Sequence, residues 1–221
     1  MTEITNMKIK TIIAISDELN VGFLHLQKSL IKHNYDYTVL INPSINWNWA
    51  GLEDIYKWGK TEEAKEYTHF IYTDGFDTVA LQPLSNVLIK YKQTDKMLFS
   101  TEKQCFPRVD WIERHPKVDS EWQYLNHGQF IAPIETFLRL YEGVFDLPIT
   151  CQEYAMDLFL NGSNDIILDT NCEVFQTVAF CKPTEEFEII DGSIVNIATG
   201  SLPSFAHGNG KTNIQWVYDL I

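Results

Sequence analysis

Cysteine, positive charge and long apolar runs are all scarce in this chain, and each shortage removes a class of protein. The four cysteines, Cys105, Cys151, Cys172 and Cys181, form no CxxC pair and have no histidine at zinc-finger spacing, which excludes a structural zinc. Against 30 Asp and Glu stand only 17 Lys and Arg, a formal net charge of −13. A surface of that sign repels a phosphate backbone, so nucleic acid is a disfavoured partner except where a local group such as Lys90, Lys92, Lys96 and Lys103 offsets it. No run reaches the roughly 18 to 20 apolar residues of a membrane span. The apolar run from Thr11 to Ile15 reads as a core strand, not as a secretory leader, so a cytoplasmic location with free thiols is expected. Repeats, linkers and low-complexity stretches are lacking too.

What remains has the composition of an ordinary folded protein, 45% hydrophobic, 13% aromatic and 21% charged. A length of 221 residues buries a core without staples, and one domain over residues 1–221 is expected.

Apolar spacing then orders the chain. An apolar stretch at Lys10 to Ile15 precedes a helical pattern over residues 17–34, with Val21, Leu24, Leu30 and Ile31 as its apolar positions, and an extended segment at Tyr37 to Ile41 follows. That alternation is a βαβ unit and predicts an α/β fold, a Rossmann-like and mostly parallel sheet flanked by helices. The aromatic stretch from Trp47 to Trp58 is read as core packing, with one tryptophan also able to line a sugar site. Strands are expected at residues 68–73, 96–100 and 124–131, and helices at 84–91, 133–141 and 152–160.

Ligands of α/β sheets collect beyond the carboxyl ends of strands. The segment HFIYTDGFDTVAL places Asp74 and Asp77 there, separated by a glycine and an aromatic. Two carboxylates so placed can share one hard cation, which bridges the phosphates of a nucleotide and stabilises charge on a leaving group. A surface turn holding two aspartates is the plain alternative. Near the far end, AHGNGK supplies His207, a common ligand of divalent metals, followed by glycines that expose backbone N–H groups and by Lys211. A simple loop histidine is the competing reading of His207.

With these blocks in order, the chain resembles the glycosyltransferase domain of procollagen lysyl hydroxylases and related collagen-modifying and viral enzymes. The resemblance rests on YTDGFD at Tyr72 to Asp77, STEKQCFP at Ser100 to Pro107, YLNHGQFI at Tyr124 to Ile131, ILDTNCEVFQT at Ile167 to Thr177, and the His-Gly-Asn-Gly of residues 207–210. It implies a GT-A fold and transfer of a hexose from a UDP-sugar to a hydroxyl acceptor. It also implies manganese, or another divalent cation, on Asp74, Asp77 and His207. Phe76 would stack on the uracil, Ile15 and Ser16 would contact the nucleotide, Gly208, Asn209 and Gly210 would meet the diphosphate with Lys211 as a clamp, and Asn126 would lie near the donor sugar.

One departure stands at the sugar end. The family carries acidic residues just before a helix that begins with glutamine, whereas here Thr150 and Cys151 precede Gln152. Gln152, Glu153 and Asp146 are the groups left to serve catalysis there. The acceptor stays open among a protein hydroxyl, a glycan and a modified DNA base of a phage. Rival readings are a non-catalytic module that binds nucleotide sugar or carbohydrate, and a metal-independent nucleotide-binding enzyme.

Overall fold

A computed structural model of the chain describes residues 7–44, 49–92 and 94–221, without the side chains of Ala50 and Lys211. Its frame is a six-stranded sheet in the order β2-β1-β3-β6-β5-β7, formed by Tyr37–Ile41 (β2), Ile9–Ile15 (β1), His69–Thr73 (β3), Tyr124–Pro133 (β6), Met97–Glu102 (β5) and Ile166–Leu168 (β7). β1 pairs in parallel with β2 and β3, and β5 with β7, while β6 runs antiparallel between β3 and β5. All seven residues of β1 are buried, as a strand covered on both faces requires. Its one charge, Lys10, is neutralised by Asp36 at 2.7 Å.

Helices cover both faces. Val21–Lys32 (α1) and Leu84–Tyr91 (α3) close one side, where Phe23, Leu26, Leu30, Val87 and Tyr91 pack on Ile13, Ile15 and Ile71. Ala50–Gly59 (α2), Ile134–Leu140 (α4) and Cys151–Leu160 (α5) close the other, where Trp49 and Trp58 join Phe70, Phe99 and Phe130. The tryptophans are therefore core residues, while Trp47 lies outside the described residues. The inward face of α1 differs from the expected one. Val21, Leu24 and Ile31 are 67%, 46% and 60% exposed, and of the four expected positions only Leu30 is buried. The helix starts at the Asn20 cap, which accepts from the Gly22 N–H, and this phase turns Phe23 and Leu26 inward.

Five smaller strands and two short helices lie outside this layered frame. Thr78–Ala80 (β4), Phe205–His207 (β11) and Phe175–Thr177 (β8) form a three-stranded sheet with β11 in the middle, and Phe187–Ile190 (β9) pairs with Ser193–Asn196 (β10). Pro183–Glu186 (α6) and Gln215–Tyr218 (α7) flank them. No described helix is long and apolar enough to cross a membrane. Two of the four grouped lysines are turned to internal partners: Lys103 is held by Glu121 at 2.6 Å and by Glu186, with its amine over the Trp122 ring, and Lys90 donates to Leu202 O and Ser204 Oγ, while Lys92 and Lys96 stand exposed.

Candidate metal centre and its polar surroundings

β3 leaves the sheet at Thr73 and the chain re-enters a strand at Thr78, so Asp74 to Asp77 form the turn between them. The turn is fixed from every side. The Asp74 N–H donates to Gly128 O at 2.8 Å, the Tyr72 hydroxyl donates to Asp74 Oδ1 at 2.6 Å, and the Thr78 hydroxyl donates to the Asp74 carbonyl. Gly75 has no room for a side chain, because a Cβ there would stand 2.1 Å from Ile15 Cγ2. The same holds at Gly22, where a Cβ would meet the Phe76 carbonyl oxygen at 1.6 Å, and so the start of α1 presses against the turn.

His207 arrives from the other sheet. It ends β11, opposite Thr78 of β4, and this register sets its ring against the turn. Its Nε2 lies 3.4 Å from Asp74 Oδ2 and 3.4 Å from Asp77 Oδ1, and the three side chains offer ligand atoms all within 4.8 Å of one another. Burial works against a charged imidazole here, yet the Asp77 carboxylate and hydrogen bonds to both aspartates outweigh it and raise the His207 pKa to about 10. Burial likewise works to raise Asp77, but the His207 charge holds it below the usual carboxylate range. The two carboxylates thus create a field that demands a positive charge, and a proton on the ring meets it. Two oxygens and one nitrogen converging in such a field are compatible with a divalent cation. His207 Nδ1 is buried without a hydrogen-bond partner, and Gly128 leaves the space for the ring: a Cβ there would lie 2.2 Å from His207 Cε1 and 2.7 Å from Asp74 Oδ2.

Next to this centre, around the end of β5, lies a cluster of a different kind. Glu102 is only 5% exposed, and its carboxylate accepts from three side-chain amides: Asn126 at 3.0 Å, Gln152 at 2.9 Å and Asn209 at 2.9 Å. Burial raises its pKa, and the amide donors offset part of that. Each amide is tied again elsewhere. Asn126 Oδ1 accepts from the Gly128 N–H at 3.0 Å, Gln152 Oε1 from the His127 N–H at 3.2 Å, and Asn209 Oδ1 from the Ala179 N–H at 3.1 Å. Glu102 therefore joins β6, α5 and the segment after β11. Glu102 lies in the STEKQCFP block, and its place as a carboxylate at the end of a buried strand is the one sequence signal that points to it.

The remaining expected residues are distributed as follows. Ile15 is fully buried, its carbonyl accepts from the Asn42 N–H at 2.8 Å, and its side chain underlies Gly75; Ser16 is half-buried just beyond it. Phe76 is half-buried against the α1 side of the core, and its carbonyl accepts from the Tyr218 hydroxyl at 3.2 Å. The Gly208 N–H donates to Asp77 O at 2.7 Å, and Gly210 is exposed with φ of +66°. The side chain of Lys211 lies outside the described residues. Glu153 is the third residue of α5, where it accepts from the Thr150 N–H at 2.9 Å while Thr150 Oγ1 accepts from the Glu153 N–H at 3.1 Å. This capping box was legible as Thr-x-x-Glu and was missed. Asp146 stands exposed in the turn before α5 and bonds to no other described residue. A separate cleft of about 500 Å³ beyond β2, lined in part by Asn42, Asp54 and Lys57, holds none of the Asp-Asp-His residues.

Comparison with known proteins matches residues 6–218 to the family described as PLOD GT domain. An uncharacterized protein of Acanthamoeba polyphaga mimivirus is 30% identical over 210 residues, covering 90% of this chain and 45% of that protein. The human multifunctional procollagen lysine hydroxylase and glycosyltransferase is 25% identical over 227 residues, covering 94% of this chain and 30% of that protein. The chain thus spans less than half the length of these relatives. Among solved structures, a glycosyltransferase involved in the glycosylation of the major capsid of PBCV-1 superposes with a TM-score of 0.55 at 12% identity, covering 96% of this chain and 98% of that one. That likeness speaks for the fold, which is of GT-A type.

Proposed function

This chain belongs to the PLOD GT domain family, and on that premise we propose that it is a metal-dependent glycosyltransferase that moves a hexose from a UDP-sugar to a hydroxyl acceptor. One observation carries the proposal: Asp74, Asp77 and His207 converge within 4.8 Å, beyond the end of a central strand, in a field that demands a cation. When bound, a divalent cation offsets the charge of the diphosphate and stabilises the leaving group as the bond from sugar carbon to phosphate oxygen breaks.

The chain's own residues divide the other tasks. Tyr72, Gly128 and the backbone of Gly208 hold the ligands in place, so little reorganisation accompanies binding. Phe76 and the end of β1 at Ile15 and Ser16 form the nucleotide side. Gly208, Asn209, Gly210 and Lys211 follow His207 on the diphosphate side. Asn126 and Gln152, both oriented by Glu102, face the sugar. Glu153 secures the start of α5, which carries Gln152. Asp146, exposed in the turn before α5 with no described partner, is the group to which we assign the acceptor proton. We assign this activity to one domain and to a cytoplasmic setting.

A second reading has one observation in its favour. The capping box commits Thr150 and Glu153 to α5, so neither of these residues at the start of the helix is free for chemistry, as would suit a module that binds donor without turnover. UDP release across a panel of nucleotide sugars, with and without manganese, separates the two. Manganese-dependent release that is lost in Asp74→Ala and His207→Ala is expected; metal-dependent UDP binding with no release from any donor would sink the catalytic reading.

A further inference from the structure

We propose that Gln129 is a positioning residue for the Asp-Asp-His centre: through the hydroxyls of Thr73 and Thr78 it holds the peptide of Asp74, and with it the turn that carries both aspartates, in the geometry a cation requires. The inference rests on the metal-dependent reading above and extends it to side chains that touch none of the three ligand atoms.

Both residues that bracket the turn are threonines. Thr73 ends β3, Thr78 begins β4, and the Thr73 hydroxyl donates to Thr78 Oγ1 at 2.9 Å, which clasps the turn at its base. The Thr78 hydroxyl in turn donates to the Asp74 carbonyl. At the other end of this relay, Thr73 Oγ1 accepts from Gln129 Nε2 at 3.0 Å. Each hydroxyl has one proton to give. The relay ends on a carbonyl that can only accept, so both hydroxyl protons point toward Asp74, and the amide N–H of Gln129 fills the acceptor left open at its head.

Strand β6 thereby holds Asp74 from two sides with consecutive residues. Gly128 O accepts from the Asp74 N–H at 2.8 Å, and Gln129, the register partner of Thr73, reaches the Asp74 carbonyl through the two threonines. The relay also meets the strand of the third ligand, because Thr78 is the register partner of His207. One side chain of β6 is thus tied to the elements that bring Asp74 and His207 together.

Core packing alone does not call for these groups. Gln129, Thr73 and Thr78 are all fully buried, and two residues away on the same faces of β3 and β6 the facing pair is Ile71 and Ile131. Valine has nearly the shape of threonine and no hydroxyl to desolvate. Gln129 Oε1 is buried with no hydrogen-bond partner among the described residues, and an unpaired buried acceptor destabilises a fold. A core filler would avoid that penalty, whereas the relay needs the N–H at the other end of the same amide.

The test uses the full chain and four variants. Gln129→Met, Thr73→Val and Thr78→Val interrupt the relay at nearly constant volume, and Thr73→Ser keeps the hydroxyl. Manganese affinity is titrated by electron paramagnetic resonance, and amide hydrogen exchange at residues 74–78 reports on the turn in the metal-free chain. Groups that orient metal ligands from behind are worth roughly 10- to 100-fold in affinity, so Gln129→Met and Thr73→Val should bind manganese about tenfold more weakly and exchange faster at the turn. Thr73→Ser should restore native values of both. Native manganese affinity in Gln129→Met and Thr73→Val would overturn the proposal. Loss of folding in all three interrupting variants would overturn it too, since the relay would then be a support of the core. A native chain that binds no manganese, with exchange still quickened in the variants, would instead strike the metal-dependent reading and leave Gln129 as the residue that sets the turn; with exchange unchanged as well, both would fall.

Discussion

The metal centre and the Glu102 cluster lie side by side and handle polarity in opposite ways. At Glu102 every partner is internal: one carboxylate, three amides, and each amide oxygen tied to a backbone N–H. At Asp74, Asp77 and His207 the groups face one another across 3.4 Å, like charges sit together, and a ring nitrogen is left without a partner. A satisfied polar network holds positions, whereas a strained one waits for a ligand. The first cluster has the character of a scaffold and the second that of the proposed receptor, and experiments can pull them apart.

The sharpest contrast should come from the receptor. On the proposed metal-dependent transfer, Asp74→Ala removes a ligand from the place where leaving-group charge develops, and kcat should fall on the order of 10²- to 10³-fold while thermal stability changes little. Gly128→Ala should behave alike, since its methyl would occupy the space of the His207 ring; activity and manganese affinity measured together would show this, and a fully active Gly128→Ala would refute the packing described. The scaffold should respond in the other sense. Glu102→Ala leaves the buried amides of Asn126 and Asn209 without their acceptor, at a cost of about 3 kcal/mol, which for a chain of this size lowers Tm by roughly 6 to 12 °C. Adding manganese at a hundredfold excess over Kd should stabilise the native chain by about 2.7 kcal/mol and the Asp77→Ala chain by none, read as a shift in Tm.

The smaller effects concern the walls around the two clusters. Burial pushes the His127 imidazole down to about 3, and its Nε2 lies 2.8 Å from the Tyr141 hydroxyl. A histidine depressed in the folded state adds stability that is intact above its unfolded pKa near 6.5. That stability drains as pH falls from there toward 3, by up to about 1.4 kcal/mol for each pH unit. His127→Phe/Tyr141→Phe should flatten this part of the urea-midpoint profile, and an unchanged profile would show that His127 does not report on it. Thr150→Ala, which removes one half of the capping box on α5, should cost about 1 kcal/mol and leave manganese affinity intact.

Much of this could be read from the sequence, but unevenly. Strand β1 is apolar from Ile12 to Ile15 and α3 has clean spacing, so β1 was legible to within a residue and α3 at both ends. The inward face of α1 was not, because apolar residues occupy several of its faces and only the Asn20 cap fixes which of them turns inward. Asp74 and Asp77 were visible through their place after a strand. His207 was visible as a residue type, but its approach depends on a pairing with β4 that no local pattern encodes. Gly128 and Glu102 were invisible as individuals, since what distinguishes them is a contact: a ring against a hydrogen in one case, three amides around a carboxylate in the other.

The middle position of β11 carries a consequence in time. About 130 residues separate Asp77 from His207, and the strand that ends in His207 lies between β4 and β8, pairing with both. Closing so long a loop is paid in chain entropy before any contact repays it. A nascent chain that already displays both aspartates still lacks the imidazole, and it acquires it only when the central strand of the small sheet slots in. Cation binding at the proposed centre would thus be an attribute of the finished tertiary structure, and a spectroscopic metal probe would double as a clock for the pairing of β11.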